Sequence, residues 1–226
     1  MPRVTYSENR SRASPLWMLA GFVCATGVTL VASLAGSWDT ALSPAALALV
    51  ALAGVAGAFP VRFAERKTAF TPTHPFILCA LGAGGVVPAA AAAVAGVIGA
   101  SLRSNCRITP VRVVFNTGAG LVAAGAAAGV FVGLGGVPGR TWSVLLGPLA
   151  GAASAYFLCN TTLVALAVAL DTRAGLLGTW VTTFAWTIAS SFAGFSVAVG
   201  LLVAVERFGV PGILLAVPPV AVLVQF

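Results

Sequence analysis

The stretch of residues 76–102 carries no charged residue, and its length constrains how the whole chain can fold. A bilayer core of about 30 Å needs about 20 helical residues, so the stretch is too long for one easy crossing and too short for two. Its middle, residues 82–88, contains three glycines and ends in a proline, a composition that interrupts helices. The sequence predicts two short helices, of about residues 73–81 and 88–102, packed as a hairpin.

The composition of the chain indicates a membrane protein. The chain has 226 residues, of which 59% are hydrophobic and 8% are charged, whereas a soluble domain carries about 25% charged residues. Because so few polar groups cannot cover a surface in water, the sequence predicts an integral membrane protein whose main partner is the lipid bilayer. The net charge of +7 comes from basic residues between apolar runs, which is typical of positive-inside anchoring and not of nucleic-acid binding.

Six further apolar runs are predicted to cross the bilayer as helices, which makes the fold class all-α. The predicted spans are residues 15–34, 41–59, 113–134, 142–170, 176–205 and 210–224. Residues 1–14 are a polar N-terminal tail, and residues 15–226 form a single polytopic transmembrane helical bundle of six full spans plus the short broken-helix hairpin. Pro88 is expected to start the second hairpin helix, because proline is tolerated in a first turn.

The distribution of basic residues predicts the topology. If the hairpin returns to its starting side, ten of the twelve Lys and Arg residues lie on that side, the exceptions being Arg140 and Arg207. A single crossing would move four of the ten away and bring those two in, which leaves eight. The positive-inside rule therefore favours the hairpin, with both termini cytoplasmic. The last run contains Pro218 and Pro219 and ends without a charged anchor, as expected for a segment cut from a longer protein or packed on a partner.

Few residues in the predicted spans could carry chemistry. No Asp, Glu, Lys, Arg or His lies in the middle of a span, which argues against a pump or an ion-coupled carrier. No Ser/His/Asp set, metal-binding helix or phosphate-binding loop occurs, so no enzymatic activity, cofactor or metal is expected. The only histidine, His74, is interpreted as an interfacial loop residue, and the four cysteines are interpreted as small apolar side chains.

Polar side chains gather in three of the predicted spans and supply the candidate ligand-binding residues. These are Asn116, Tyr156, Asn160, Thr183, Trp186 and Ser190. Spacings of three and four residues place Thr183, Trp186 and Ser190 on one helix face. An amide in hydrocarbon needs a partner, so Asn116 and Asn160 are expected to face the protein interior. Two interpretations stay open, namely bonds between helices that stabilise the bundle and a pocket with aromatic walls for a small apolar ligand.

Three segments of the chain resemble parts of known signalling proteins. They are RVVFN at residues 112–116, YFLCNTTLVAL at residues 156–166 and LAVPPVAVL at residues 215–223. Over about residues 59–226 the chain resembles the N-terminal multi-helix membrane sensor regions of bacterial HD-GYP and GGDEF signalling proteins, which precede a cytoplasmic cyclic-dinucleotide enzyme. The resemblance implies a sensory or ligand-binding module of the inner membrane that passes a signal to a cytoplasmic output domain or partner at its C-terminus. The chain ends where the enzyme would begin, so no catalytic residue is carried over.

A second resemblance implies a different function. The basic loop, short helix, Gly/Pro break and small-residue helix of residues 62–102 look like the substrate-binding subunits of energy-coupling-factor vitamin transporters. This resemblance implies a transporter subunit that binds a small substrate, and a structural subunit of a larger membrane complex is a third interpretation. A charged coupling surface on the hairpin would favour transport, whereas a helical linker from Phe226 to an enzyme domain would favour sensing.

Overall fold

The computed structural model of the protein describes residues 10–35, 43–59, 61–62, 69–70, 72–103, 109–184 and 187–216. Within these ranges the regular secondary structure is helical apart from one antiparallel pair of two-residue strands. The elements, in chain order, are α1 (Arg10–Ala35), α2 (Pro44–Gly57), β1 (Val61–Arg62), β2 (Ala69–Phe70), α3 (His74–Gly84), α4 (Val86–Arg103), α5 (Pro110–Gly133), α6 (Trp142–Thr172), α7 (Leu176–Phe184), α8 (Ile188–Phe208) and a 3₁₀ helix (Val210–Ala216).

Four helices are long and apolar enough to cross a membrane, as judged by length and composition. They are Pro15–Ala35 within α1, and α5, α6 and α8. Helices α2, α3 and α4 are also apolar but shorter. The 14 residues of α2 rise about 21 Å, which is less than the bilayer core of about 30 Å. The predicted helical membrane fold is confirmed at this level.

Prolines and glycines mark several of the helix boundaries. Pro44 and Pro110 lie in the first turns of α2 and α5, where a missing N–H is not needed. The hydroxyl of Ser43 accepts a hydrogen bond of 3.2 Å from the Ala46 N–H and so caps α2. Gly209 follows α8 with a φ of 64°, a left-handed conformation that favours glycine and ends the helix.

The hairpin of α3 and α4 turns on a single residue, Gly85. Its φ of 90° and ψ of −162° lie in a region that is essentially restricted to glycine. Thr73, at the start of α3, lies against Gly96 in the middle of α4, so the two helices run antiparallel. The predicted break over residues 82–88 is therefore longer than the observed one. Pro88 lies in the first turn of α4, as expected.

The predicted span over residues 176–205 is divided between two helices in the described part of the chain. Helix α7 ends at Phe184, and α8 begins at Ile188 with Thr187 as its N-cap. Hydroxyl groups compete with the helical hydrogen bonds here. The Thr187 hydroxyl donates to the Phe184 carbonyl at 2.7 Å, and the Ser190 hydroxyl donates to the Thr187 carbonyl at 2.7 Å. Of the predicted last span, residues 210–216 form the 3₁₀ helix, and the remainder lies outside the described residues.

Candidate ligand-binding site

His74 lies in the protein core, which corrects its interpretation as an interfacial loop residue. It is the first residue of α3, and its side chain is 6% exposed. Pro75 follows it in the first helical turn, where a fixed φ favours helix initiation. The apolar residues Phe76–Leu81 that come next are all buried. Burial of this short apolar helix therefore brings its first residue into the interior as well.

The imidazole ring of His74 lies between α6 and α8. It stacks on the ring of Tyr156, with the ring centroids 5.0 Å apart and the planes at 28°. Tyr156 is buried, and it occupies the middle of α6. On the other side, a Cβ added to Gly194 of α8 would lie 3.3 Å from the His74 Nδ1 atom. Because Gly194 has no side chain, the imidazole can pack closely against α8.

The Nε2 atom of His74 is buried and has no hydrogen-bond partner in the described part of the chain. Each nitrogen of an imidazole is a hydrogen-bond donor or an acceptor. A buried polar atom without a partner costs about 1–3 kcal/mol in stability. Besides the phenol Tyr156, the other buried polar side chains described are three threonines, and their hydroxyls all donate to carbonyls of their own or an adjoining helical turn. His74 is therefore the exception among the buried polar groups described.

The far end of α3 is fixed by contacts that set its depth in the bundle. A Cβ added to Gly82 would lie 3.0 Å from Leu202 of α8 and 3.5 Å from Leu149 of α6. The Gly82 carbonyl, which is near the C-terminal end of α3, accepts a hydrogen bond of 2.8 Å from the Gly139 N–H. The loop between α5 and α6 therefore satisfies a carbonyl that the helix itself leaves free.

These contacts define the direction of α3 and the depth of His74. Along α3 the chain runs from His74 at Tyr156 to Gly82 at Leu149, so α3 is antiparallel to α6. Eight residues of helix rise about 12 Å. His74 is therefore about 12 Å deeper than the Gly82 end of α3, and it lies level with the middle of the 31-residue helix α6. Helix α3 begins inside the bundle and not at its surface.

Helix α7 is attached to α6 close to Tyr156. The indole N–H of Trp180 donates to the Thr161 hydroxyl at 3.0 Å, and that hydroxyl donates to the Phe157 carbonyl at 2.7 Å. The rings of Phe157 and Trp180 meet edge to face, with centroids 6.3 Å apart and an interplanar angle of 70°. Trp180, in the middle of α7, therefore contacts α6 about one turn beyond the stacked rings.

Two of the predicted site residues lie near the buried histidine along α6. Tyr156 stacks on His74, and Asn160 lies one turn further on, half-buried. Thr183 is half-buried in the last turn of α7, and Ser190 is half-buried in the first turn of α8. Trp186 lies outside the described residues.

Two expectations about the polar residues are corrected by the structure. Asn116 is exposed on α5 and does not face the interior. Helix α5 is rich in Ala and Gly, so its apolar pattern does not mark one inward face. The shared helix face of Thr183 and Ser190 is also wrong, because these residues belong to α7 and α8 and not to one helix.

Two residues of this region, His74 and Trp180, were not among the predicted site residues. A sequence signal existed for His74, since a proline directly after it and an uncharged apolar run mark a helix start. The contact partner of Trp180 could not be read from spacing, because it belongs to another helix. Among the described residues, no group of three or more His, Cys, Asp or Glu side chains could hold a metal ion.

At the opposite end of α8 a carboxylate joins two helices. The Trp142 N–H at the start of α6 donates to the Glu206 Oε2 atom at 3.0 Å. A negative charge at a helix N-terminus is favourable because the peptide dipoles and free N–H groups point there. After Gly209 the 3₁₀ helix packs back on α8, and a Cβ added to Gly212 would overlap the Ala204 carbonyl. Helix α8 therefore connects the His74 contact with the C-terminal segment.

Comparisons of the chain with protein families, with curated proteins and with solved structures give no match.

Proposed function

We propose that the chain is an integral membrane sensory module that binds a small ligand between α3, α6 and α8 and transmits the change through α8 to its C-terminal end. The observation that carries this proposal is the buried His74 Nε2 atom, which has no partner among the described residues. Unsatisfied polar groups are costly in a membrane interior, and intramembrane ionisable residues are functional-site candidates for that reason. The proposal includes no enzymatic activity and no cofactor.

The ends of helices near His74 support a binding site at this depth. Helix α3 begins at His74, and α7 gives way to α8 between Phe184 and Ile188. Discontinuous membrane helices present free backbone groups at their ends, and these ends commonly line ligand sites near the bilayer midplane. The half-buried amide of Asn160 offers a further polar group one turn from Tyr156.

A route to the C-terminal end is provided by α8 itself. Gly194 contacts the imidazole, Glu206 contacts the start of α6, and the 3₁₀ helix Val210–Ala216 packs on the same helix. A ligand that moves α8 relative to α3 would therefore change the position of the C-terminal segment. Such a ligand must bind the shifted arrangement more tightly than the unshifted one.

The proposed topology has six full spans and the α3–α4 hairpin, with both termini on the cytoplasmic side of the inner membrane. Ten of twelve basic residues then lie on that side. Single cysteines at positions 66 and 107, in a background without the native cysteines, should react with an impermeant maleimide from the same, cytoplasmic side of oriented vesicles. Reaction from opposite sides would contradict the hairpin topology and place the C-terminus outside.

Spin labels at Ser143 and Phe208 test the sensory function. Both residues are exposed, one at the start of α6 and the other at the end of α8. The probes are three small ring molecules, phenol, toluene and benzoate. In nanodiscs, the distance between the labels should change when one of them is bound at the His74 site. A bound probe that leaves the distance unchanged would contradict signal transmission through α8. Labels at Ser143 and Leu158, both on α6, provide the control that should not change.

The transporter subunit is the second candidate function, and the interrupted helices around His74 also support it. A transporter must open this site to water on one side or both, whereas the sensory proposal keeps it closed. A His74→Cys protein without other cysteines should therefore resist a charged, water-soluble thiol reagent added to either side of a vesicle. Reaction of this cysteine with the reagent would favour transport over sensing.

A further inference from the structure

The surroundings of His74 contain polar groups but no buried charge among the described residues. Among the described residues, the buried side chains that carry polar atoms include His74, its stacking partner Tyr156 and three threonines. The hydroxyls of Thr161, Thr179 and Thr187 donate to backbone carbonyls at 2.7–2.9 Å. In the part of the chain that the structure describes, the His74 Nε2 atom is the fully buried side-chain nitrogen or oxygen without a hydrogen-bond partner. The imidazole ring that carries this atom stacks on the Tyr156 ring, and its Nδ1 side faces Gly194 of α8.

These neighbours limit the chemistry of a ligand. A charged molecule would lose its hydration and find no buried opposite charge among the described residues, which is strongly unfavourable in a buried apolar site. A purely apolar molecule would leave Nε2 without a partner. An apolar molecule with one neutral hydrogen-bonding group satisfies both conditions. Such a molecule also partitions into the bilayer, so it can approach between the helices.

On the basis of the proposed function, we infer that the His74 site takes a small, neutral, ring-sized molecule whose single hydroxyl or N–H group bonds to Nε2. Its apolar body would lie against the Tyr156 ring. Because Nε2 is covered in the present arrangement, the molecule must separate α3 from a neighbouring helix as it enters. Helix α8 packs beside the imidazole at Gly194, so it is one of the helices that the molecule can displace. The proposed function requires that α8 is the helix displaced.

The chain has one histidine, which gives the test a single reporter. Protein in nanodiscs, labelled with ¹⁵N only in histidine, yields the two imidazole nitrogen resonances of His74. Phenol, toluene and benzoate are matched in ring size and differ in the group that reaches Nε2. Phenol should shift the Nε2 resonance to saturation and bind about tenfold more tightly than toluene, because tenfold corresponds to one buried hydrogen bond. Benzoate should leave both resonances unchanged.

Variants separate binding at this site from general partitioning into the bilayer. Tyr156→Ala removes the ring platform and should weaken phenol binding about tenfold, since a buried aromatic contact is worth about that much. Tyr156→Phe keeps the ring and should bind as the wild type does, which also guards against a folding failure of the alanine variant. Leu158→Ala, on the exposed side of α6, is the matched control and should not affect phenol binding.

Several outcomes would overturn the inference. Equal binding of phenol and toluene would contradict a hydrogen bond from the ligand to Nε2. A shift caused by benzoate would contradict the restriction to neutral ligands but would still show ligand binding. The Nε2 atom could instead be hydrogen-bonded to a long-lived buried water, with a resonance that none of the three probes changes. That result would contradict both the binding site and the proposed function. A saturable phenol shift without a change in the Ser143–Phe208 distance would keep the site and contradict the sensory function alone.

Discussion

Two helix contacts in this bundle differ in the residues that form them, since one consists of glycines and the other contains a histidine and a tyrosine. Where α2 crosses α4, Gly57 faces Gly96 and Gly54 faces Gly99, and a Cβ at Gly57 or Gly99 would overlap the opposing backbone. Helix backbones that approach this closely gain dispersion contacts along both helices, which is the main source of packing energy in a membrane. The α2–α4 crossing is therefore optimised for stability.

The contact between α3 and α6 departs from this design. It includes an imidazole stacked on a phenol ring, and one nitrogen of the imidazole has no partner among the described residues. A glycine or alanine at position 74 would avoid that cost. Natural proteins break such rules chiefly at functional sites, where stability is exchanged for activity. The difference between the two contacts supports the proposal that the α2–α4 crossing is a scaffold and that the His74 contact is a binding site.

The largest expected effect is at the scaffold. Gly57→Ala places a methyl group on the Gly96 carbonyl oxygen and should lower the free energy of unfolding by about 3 kcal/mol, because the helices must separate. Gly129→Ala in α5 is the matched control, since its Cβ would have nothing within 4 Å and alanine favours a helix by about 0.5–1 kcal/mol. Reversible unfolding in mixed micelles measures both. Equal stability of the two variants would refute the close crossing.

The next effect is at the turn of the hairpin. Gly85→Ala forces a side chain into a backbone conformation that is essentially restricted to glycine, and it should lower stability by about 1–3 kcal/mol. Gly200→Ala, on an open face of α8, should have no unfavourable effect. The same unfolding measurement applies. A Gly85→Ala protein as stable as the Gly200→Ala control would show that the chain turns elsewhere.

The smallest effect is at the outer end of α8. Glu206→Gln removes the negative charge at the α6 N-terminus but keeps an oxygen acceptor for the Trp142 N–H. Stability should fall by about 0.3–1 kcal/mol at low salt, because this interaction is exposed and screened. The loss should shrink in 0.5 M salt. A salt-independent loss would show that Glu206 acts through packing and not through its charge.

Sequence patterns predicted the hairpin because its signals are local. Three glycines, Pro88 and a length unsuited to a single crossing all lie within one stretch. The pattern could not place the turn at Gly85, because Gly82, Gly84 and Gly85 are equally permissive and only the packed structure selects one φ. The prediction of the four longer apolar helices rested on hydropathy, which is equally local.

The site was predicted only in part because it depends on contacts between distant segments. Tyr156 was predicted as a possible aromatic wall of a pocket, but its stacking partner is 82 residues away in the chain, at His74. Asn116 was expected inside because an amide needs a partner, yet it is exposed on a helix whose small residues are similar on every side. The division between α7 and α8 depends on hydroxyl–carbonyl bonds that compete with helical ones, and residue spacing does not reveal their outcome.

The free energy of unfolding of His74→Phe, measured beside Thr161→Val, tests the central claim most directly. Phenylalanine keeps a planar ring on Tyr156 and removes the unpartnered nitrogen, so stability should rise by about 1–3 kcal/mol. Thr161 has partners on two sides, at Phe157 and Trp180, so its loss should lower stability by about 0.6–1.7 kcal/mol. Opposite signs for the two variants are the predicted result. A loss of stability in His74→Phe that equals or exceeds that of Thr161→Val would show that the imidazole stabilises the fold, and it would contradict a site maintained for binding.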